Sequence, residues 1–231
     1  MTPSEIADIV RELNPRFLQR LTATERTAVL ACARVRKYLA NATISYEGHP
    51  ADHLFLLLQG RARYFALTPA GDKALLFWVA PGEVIGGAAI LSIPCSYILS
   101  TETVKSSRFL VWDRSSIMAL SRKYPKLLEN ALLIAHDYFV LYRAAHLSLA
   151  CQSARQRLAT VLVNLAGGIG ERVPEGVQLD VSNEELANEA HVTHFTACRL
   201  MSEWQRNGVL IKRRGKVLLT GPELLFSSQQ T

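Results

Sequence analysis

Cationic side chains cluster in one short stretch towards the C-terminal end of the sequence. Between His191 and Lys216, six lysines and arginines stand against a single acid, Glu203. The densest part is the run Lys212-Arg213-Arg214-Gly215-Lys216, which lies between two apolar triplets and predicts a β-hairpin with a basic tip. Such a tip attracts polyanions, of which nucleic-acid phosphates fit this pattern. A solvated hairpin without a ligand is the alternative.

A helix-turn-helix pattern stands directly before this hairpin. Ser182 and Glu185 have the spacing of a capping box, which predicts a short helix up to Ala190. A three-residue turn ending at Thr193 precedes a second helix, which Gly208 terminates. Helix, tight turn and helix is the arrangement that presents its second helix to the DNA major groove.

The second helix has two different sides. One side is apolar and predicts core packing through Ala197, Leu200, Met201 and Trp204. We expect the other side to read bases and the hairpin to contact phosphates, with Arg199 bonding to guanine and the Phe195 ring meeting a thymine methyl group. Packing of Phe195 against the core is the alternative. The predicted DNA-contacting residues are Thr193, His194, Phe195, Thr196, Cys198, Arg199, Ser202, Lys212, Arg213, Arg214 and Lys216.

Two regions of different periodicity must position this element. From Ser4 to about Leu39 the apolar residues recur at helical spacing, which predicts N-terminal helices. From Ala42 to about Asp113, short apolar runs end at turns such as Gln59-Gly60 and Pro81-Gly82. Short strands at these intervals predict an antiparallel barrel or sandwich.

A long helix is predicted from Pro125 to about Ala150, with a length of about 39 Å. One apolar stripe follows steps of three and four residues along Leu128, Leu132, Ala135, Phe139, Tyr142 and His146. A second stripe beside it contains Ala131, Ile134, Tyr138, Leu141 and Ala145. One stripe can pack on the β-domain, so the other predicts contact with the same helix of a second subunit. Burial of the whole helix in one large core is the alternative.

Length and composition set the remaining limits. The chain has 231 residues, 49% of them hydrophobic, and a formal net charge of +6, so it can form packed cores and is not mainly disordered. We divide it into residues 1–124, 125–150 and 151–231. No apolar stretch reaches the roughly 20 residues of a membrane span, and the charged N-terminus is not a secretory signal, so we expect a cytoplasmic protein without a membrane partner. The four cysteines are too far apart for a metal site.

From about Phe17 to Leu225 the chain resembles the CRP/FNR transcription regulators. The segments Glu47–Gly60 and Pro81–Gly86 are similar to the β-roll of the cyclic-nucleotide-binding type, and the long helix and the winged helix-turn-helix follow in the family's order. The resemblance implies an α+β fold with an N-terminal antiparallel, jelly-roll-like β-roll, a long dimerisation helix and a C-terminal winged helix-turn-helix. It also implies a homodimer that binds two-fold symmetric, double-stranded promoter DNA and contacts RNA polymerase through the 166–170 loop or the Thr68–Lys73 turn.

The sequence departs from the family members that bind cyclic AMP. Those members carry Gly-Glu after the Pro-Gly-Glu turn and Arg-Ser or Arg-Thr about ten residues later, where this chain has Gly86-Gly87 and Tyr97-Ile98-Leu99. A buried phosphate without a cation would incur several kcal/mol of desolvation, so cyclic AMP is not expected. We expect an apolar pocket lined by Ile85, Gly86, Gly87, Ala88, Tyr97, Ile98 and Leu99.

Three interpretations of the sensor stay open. The pocket holds a small apolar or aromatic ligand, it is filled by its own side chains, or the protein binds haem through a cysteine or one of His49, His53, His136 and His146. An iron–sulfur cluster is not expected, because the cysteines are not grouped. An enzyme that uses the pocket is a further alternative, but no catalytic motif has a recognisable context, and no catalytic residue is predicted.

An effector would act by shifting a two-state dimer between orientations of its recognition helices. We expect Glu129, Arg143 and the segment from Cys151 to Arg157 to lie where the long helix meets the DNA-binding domain or the partner subunit.

Overall fold

The computed structural model describes residues 2–68, 71, 73–213 and 215–226. Its N-terminal elements are α1 (Pro3–Leu13), a 3-10 turn (Arg16–Leu18), α2 (Ala23–Ala31), β1 (Arg34–Tyr38), β2 (Thr43–Ser45), β3 (His53–Leu67), β4 (Lys73–Val79), β5 (Val84–Ile85), a 3-10 helix (Gly87–Ile90), β6 (Ser100–Asp113) and α3 (Arg114–Lys123). Then follow α4 (Lys126–Cys151), α5 (Ala154–Gly168), β7 (Glu171–Val173), β8 (Gly176–Leu179), α6 (Asn183–Glu189), α7 (His194–Arg206), β9 (Leu210–Arg213), β10 (Lys216–Leu219) and a 3-10 turn (Pro222–Phe226). The chain divides into two compact units, Met1–Val140 and Leu141–Thr231.

The first unit is built on an antiparallel sheet in the order β1-β6-β3-β4, with β2 added to β6 and β5 to β3. Successive residues of a strand point to opposite faces. In β3, Leu54, Leu56 and Leu58 therefore join a buried cluster with residues of the helices, whereas Phe55 and Leu57 join a second cluster on the other face. An apolar run without alternation arises because both faces of this strand are covered. The predicted α+β class with an N-terminal antiparallel sheet is confirmed.

The helical prediction for the segment before Leu39 is wrong at its C-terminal end. Residues Arg34–Tyr38 form β1, which pairs antiparallel with β6 from Val111 to Ser107. The Tyr38 ring packs edge-on against Phe109 at a centroid distance of 5.6 Å. Pairing with a strand about 70 residues away outweighs the local helical spacing, which is why the pattern misled.

The turn predicted at Gln59-Gly60 does not interrupt the strand. Strand β3 runs through it with register shifts against β6, and Gly60 has φ +105°. A Cβ atom at Gly60 would lie 2.2 Å from the Ser107 Oγ, so only glycine allows the two strands to approach here.

Helix α4 is held against the N-terminal segment by a buried polar side chain. Asn130 is 1% exposed, and its Nδ2 donates to the backbone oxygens of Phe17 (3.0 Å) and Gln19 (2.8 Å). Its Oδ1 accepts from Arg20 at 3.0 Å. Glu129, beside it, pairs with Arg20 as well, at 3.0 Å. These bonds fix which side of the helix faces the sheet domain.

The second unit combines the end of α4 and the helices α5, α6 and α7 with a four-stranded antiparallel sheet in the order β7-β8-β10-β9. Its interior contains Leu158, Leu162, Leu186, Trp204 and Leu210, all fully buried. Helix α5 continues through Gly168, so most of the loop predicted at 166–170 is helical. Pro69, Ala70 and Asp72 of the predicted Thr68–Lys73 turn lie outside the described residues. None of the helices among the described residues has the length and apolar character that crossing a lipid bilayer requires.

Candidate nucleic-acid interface

The helix-turn-helix forms through local capping. The Ser182 hydroxyl accepts from the backbone of Glu185 at 3.2 Å, and the Glu185 carboxylate accepts from the Ser182 backbone at 2.8 Å. Thr193 caps α7 by accepting from the Thr196 backbone at 3.1 Å. Gly208 ends the second helix with φ +71°. Each cap satisfies donors or acceptors that a helix end leaves free, so the short helices form where the sequence predicts them.

Helix α7 separates its residues as the sequence indicates. Its core side is buried at Ala197 (0% exposed), Leu200 (3%), Met201 (0%) and Trp204 (0%). On the opposite side Phe195 is 77% exposed, so the alternative in which it packs against the core is wrong. Arg199 is exposed too, and within the described residues its guanidinium has no hydrogen-bond or ion-pair partner. An aromatic ring and a free guanidinium on one helix face can meet bases.

The remaining predicted contact residues of α7 are already bonded to one another. The Cys198 Sγ lies 3.5 Å from His194 Nε2 and accepts from the Asn183 Nδ2 at 3.4 Å. The Thr193 and Thr196 hydroxyls lie 2.9 Å apart. Sequence reasoning missed Asn183, because its partner stands 15 residues further along the chain.

Strands β9 and β10 form the predicted wing. Lys212 pairs with Val217 and Arg213 with Lys216 across the hairpin, whereas Arg214 lies outside the described residues. The Lys216 ammonium pairs with the Asp180 carboxylate at 3.3 Å. The wing and the start of α6 border a cleft of about 290 Å³, lined by Val181, Ser182, Asn183, Lys212, Arg213, Gly215, Lys216 and Val217. Three cations at one cleft are suited to an anionic backbone.

The residues predicted to line an effector pocket do not share one environment. Ile85 (1% exposed) and Tyr97 (9%) belong to the core of the first unit, and the half-buried Ala88 packs against it. The Tyr97 hydroxyl accepts from the His53 backbone N–H and lies 3.1 Å from the His53 oxygen. Ile98 is 82% exposed, so it does not fit the lining of an enclosed pocket.

The other three residues of that set are glycines or partly exposed. Gly86 has φ +79°, and a Cβ atom there would lie 2.5 Å from the His53 oxygen, so the backbone requires glycine. Gly87 is exposed and Leu99 is half-buried. The predicted set therefore combines buried residues of the core with residues that are exposed to solvent.

The first unit contains a buried carboxylate with two cationic partners and a group of three packed aromatic rings. Glu102 is 2% exposed and pairs with Arg63 (2.7 Å) and Lys73. Tyr138 of α4 packs edge-on against Phe77 (5.5 Å) and Tyr64 (6.0 Å). Burial raises the pKa of both tyrosines, so their hydroxyls stay neutral.

The two stripes of α4 have different surroundings. Of the second stripe, Ala131 and Ile134 pack against the core of the first unit and Tyr138 packs on the sheet. Its last two members, Leu141 (50%) and Ala145, are exposed. The other stripe is exposed at every position: Leu128 (48%), Leu132 (70%), Ala135, Phe139 (67%), Tyr142 (63%) and His146. Burial of the whole helix within one core, the alternative to a dimer, is therefore wrong.

Comparison with known proteins assigns both parts of the chain to described families. Residues 35–124 match the cyclic nucleotide-binding domain, and residues 156–226 match the Crp-like helix-turn-helix domain. The cyclic AMP receptor protein of Thermus thermophilus is 27% identical over 209 residues, which cover 89% of this chain and 92% of that protein. Electron transport regulator A of Shewanella oneidensis is 26% identical over 178 residues, covering 75% of this chain and 69% of that protein.

A solved structure has the same fold. The c-di-GMP-responsive global regulator CLP of Xanthomonas campestris superposes with a TM-score of 0.74 at 21% identity, covering 87% of this chain and all of that chain. The two domains, the long helix and the winged helix-turn-helix occur here in one order on one chain. The chain therefore belongs to the CRP/FNR family, whose members are DNA-binding transcription regulators and not enzymes.

Proposed function

We propose that this protein is a homodimeric transcription regulator that reads two-fold symmetric promoter DNA with the exposed side of α7. The observation that carries the proposal is the free guanidinium of Arg199 beside the exposed Phe195, on a helix whose other side is buried. Regulators of this family bind DNA as homodimers. Two copies of α7 about 34 Å apart reach successive major grooves of one duplex.

Base reading falls to Arg199 and Phe195. The guanidinium makes a bidentate contact with guanine O6 and N7, and the ring meets a thymine methyl group. His194, Thr193, Thr196, Cys198 and Ser202 complete the surface. Its preferred half-site differs from that of family members that carry Arg-Glu at the start of this helix, because Phe195 does not accept a hydrogen bond from cytosine.

The wing supplies contacts that do not depend on sequence. Lys212, Arg213, Arg214 and Lys216 approach phosphates on one edge of the half-site. The three cations that line the cleft between the wing and α6 support this role.

Dimerisation takes place through residues 125–150. The exposed apolar stripe of α4 supports this, since a row of large apolar side chains in water is a surface that seeks a partner. The exposed stripes of the α4 helices from two subunits pair with each other in a parallel coiled coil. The axis of this coiled coil coincides with the two-fold symmetry axis of the DNA site. Residues 1–124 then act as the sensor and residues 151–231 as the reader.

The effector is not a cyclic nucleotide. Although one relative is a cyclic AMP receptor protein, the segment Tyr97-Ile98-Leu99 has no arginine to bind a phosphate, and the Tyr97 hydroxyl is bonded to the backbone. The cations Arg63 and Lys73 of the first unit are paired with Glu102. The rings of Tyr64, Phe77 and Tyr138 support a sensor interior that is filled by its own side chains, with an apolar ligand or haem as the alternatives.

One set of measurements tests the proposal. Selection from a random-sequence duplex library with the purified protein is expected to return a two-fold symmetric site. Sedimentation is expected to show a dimer, and cyclic AMP at about 1 mM is expected to leave the melting temperature unchanged. A Soret band in the absorption spectrum would favour haem. A monomer that enriches no sequence at low salt would contradict the proposal. Contact with RNA polymerase in the cytoplasm follows from the same role and is tested by transcription in vitro.

A further inference from the structure

The guanidinium of Arg157 holds three backbone oxygens from two different places in the second unit. Its Nη1 donates to the Gln152 oxygen at 2.9 Å, its Nε to the Ala190 oxygen at 2.9 Å and its Nη2 to the His191 oxygen at 3.1 Å. Gln152 lies in the two-residue junction between α4 and α5, whereas Ala190 and His191 form the turn of the helix-turn-helix. One planar side chain thus joins the end of the long helix to the turn before the recognition helix.

The turn that Arg157 holds has an unfavourable backbone conformation. His191 has φ +49°, in the left-handed region that residues other than glycine seldom adopt. Its N–H donates to the Asn188 oxygen at 3.2 Å, and its oxygen accepts from Arg157. The cap of α7, Thr193, comes two residues later, so the direction of α7 depends on this turn.

A second contact joins α5 to the recognition helix without involving the junction. The Arg155 Nη1 lies 2.5 Å from the Glu203 carboxylate, and its guanidinium lies 5.3 Å above the Trp204 ring. This contact holds α7 on α5. Arg157 differs from Arg155, because one of its three bonds reaches Gln152, the residue that follows the last residue of α4.

We propose that Arg157 is a positioning residue that fixes the direction of the recognition helix relative to the end of the long helix. This inference rests on the proposed function, in which two recognition helices of one dimer read one duplex together. A dimer that holds its two recognition helices in a fixed relative position binds a symmetric site far more tightly than one recognition helix binds a half-site, because binding of the second helix is intramolecular. When Arg157 is replaced, the direction of each recognition helix relative to the end of the long helix is no longer fixed, but each recognition helix keeps its base contacts.

The test compares full-length Arg157→Gln and Arg157→Lys with Arg172→Gln, an exposed arginine of β7 that serves as the matched control. Three duplexes are used: the symmetric site returned by selection, the same site with one half scrambled, and the same site with its halves moved apart by about 5 base pairs, half a turn. For Arg157→Gln we expect affinity for the symmetric duplex to fall about 10- to 100-fold, as loss of charged hydrogen bonds implies.

Three further results are expected of Arg157→Gln. Affinity for the half-site stays within about two-fold, and the preference for the correct spacing is lost. The slope of log K against log salt stays unchanged, because Arg157 bonds to the protein's own carbonyls and not to phosphates. Arg157→Lys, which keeps the charge but lacks the fork that spans three oxygens, falls between wild type and Arg157→Gln.

The outcomes separate the two proposals. An equal loss on the symmetric and half-site duplexes would mean a damaged DNA-binding domain and would overturn the role of Arg157, as would unchanged affinity on both. Arg157→Lys carries the same comparison if circular dichroism shows that Arg157→Gln is poorly folded. Failure of the wild-type protein to bind the selected duplex would contradict the proposed function and not the role of this arginine.

Discussion

The Lys212 ammonium on β9 donates a hydrogen bond of 2.8 Å to the Ser202 hydroxyl on α7. The backbone N–H of Lys212 donates to the Gln205 Oε1 at 3.0 Å. Both bonds fasten the wing to the outward side of the recognition helix. The wing and α7 therefore form one continuous surface, and Lys212 has a structural contact in addition to its charge.

Substitution of Lys212 separates its charge from its contact with α7. For Lys212→Ala we expect weaker binding to every sequence and a salt slope lower by about 1, because one phosphate contact is lost. Ser202→Ala is the control: it removes the contact but leaves the charge, so its salt slope should equal that of wild type. Titrations at four salt concentrations measure both slopes. An unchanged slope for Lys212→Ala would show that this ammonium does not reach a phosphate.

Arg199 should discriminate between bases. We expect Arg199→Ala to cost about 1–3 kcal/mol on the selected site, with the loss confined to one base pair per half-site. The measurement is a competition series in which each base pair is changed in turn. Arg206, exposed at the end of the same helix, gives the comparison: Arg206→Ala should weaken all sequences alike. Equal losses for Arg199→Ala on cognate and scrambled DNA would contradict base reading.

A charge within the exposed stripe of α4 should break the dimer. We expect Phe139→Glu to sediment as a monomer and to lose about 100-fold in affinity for the symmetric duplex, because two glutamates would face each other in an apolar seam. Leu133→Glu is the control, since Leu133 is also exposed (42%) but lies on a different face of the helix. A dimer that survives Phe139→Glu would place the subunit contact elsewhere.

Glu102 should contribute stability that depends on pH. Burial alone would raise its pKa, but hydrogen bonds from Lys73 and Arg63, together with their charges, hold the pKa below its usual value of 4.5. A carboxyl group with a lowered folded-state pKa stabilises the fold above its unfolded-state pKa, and this contribution is lost as the pH falls through the folded-state pKa. We expect Glu102→Gln to lower the free energy of unfolding by about 1–3 kcal/mol at neutral pH, because Arg63 and Lys73 lose a charged hydrogen-bond partner but are themselves partly exposed.

Urea unfolding at about pH 7 and at about pH 3.5 measures this dependence, and the difference between Glu102→Gln and wild type should shrink at the lower pH. Glu129→Gln is the control, because Glu129 pairs with Arg20 at an exposed site and should change stability by less than about 1 kcal/mol. The same difference at both pH values would contradict the assignment.

The DNA-reading element was predictable from sequence because its signals are local. Ser182, Thr193 and Gly208 each act within three residues of their own position, and the structure has caps and helix ends where they stand. The exposed side of α7 follows from helical periodicity in the same way, which is why Phe195 could be placed without coordinates.

Features that depend on distant partners were not predictable. Residues Arg34–Tyr38 form a strand because they pair antiparallel with β6. Considered without that partner, the same residues continue the helical spacing of the preceding segment. Arg157 stood in a segment expected to connect helix and DNA-binding domain, but its partners Ala190 and His191 lie more than 30 residues away. The position of Ile98 after a motif predicts a pocket residue, and only the fold shows that its side chain faces solvent.

Strand β1 lies at the edge of its sheet, where Arg36 and Lys37 are exposed. The open side of such a strand carries backbone donors and acceptors that any other extended chain can bond. Arg36 and Lys37 oppose such pairing, because two copies of this edge strand would repel each other through their like charges. Replacement of both residues by valine would leave the fold intact but give an uncharged, apolar edge strand. The protein would then tend to form insoluble aggregates at high concentration through intermolecular strand pairing.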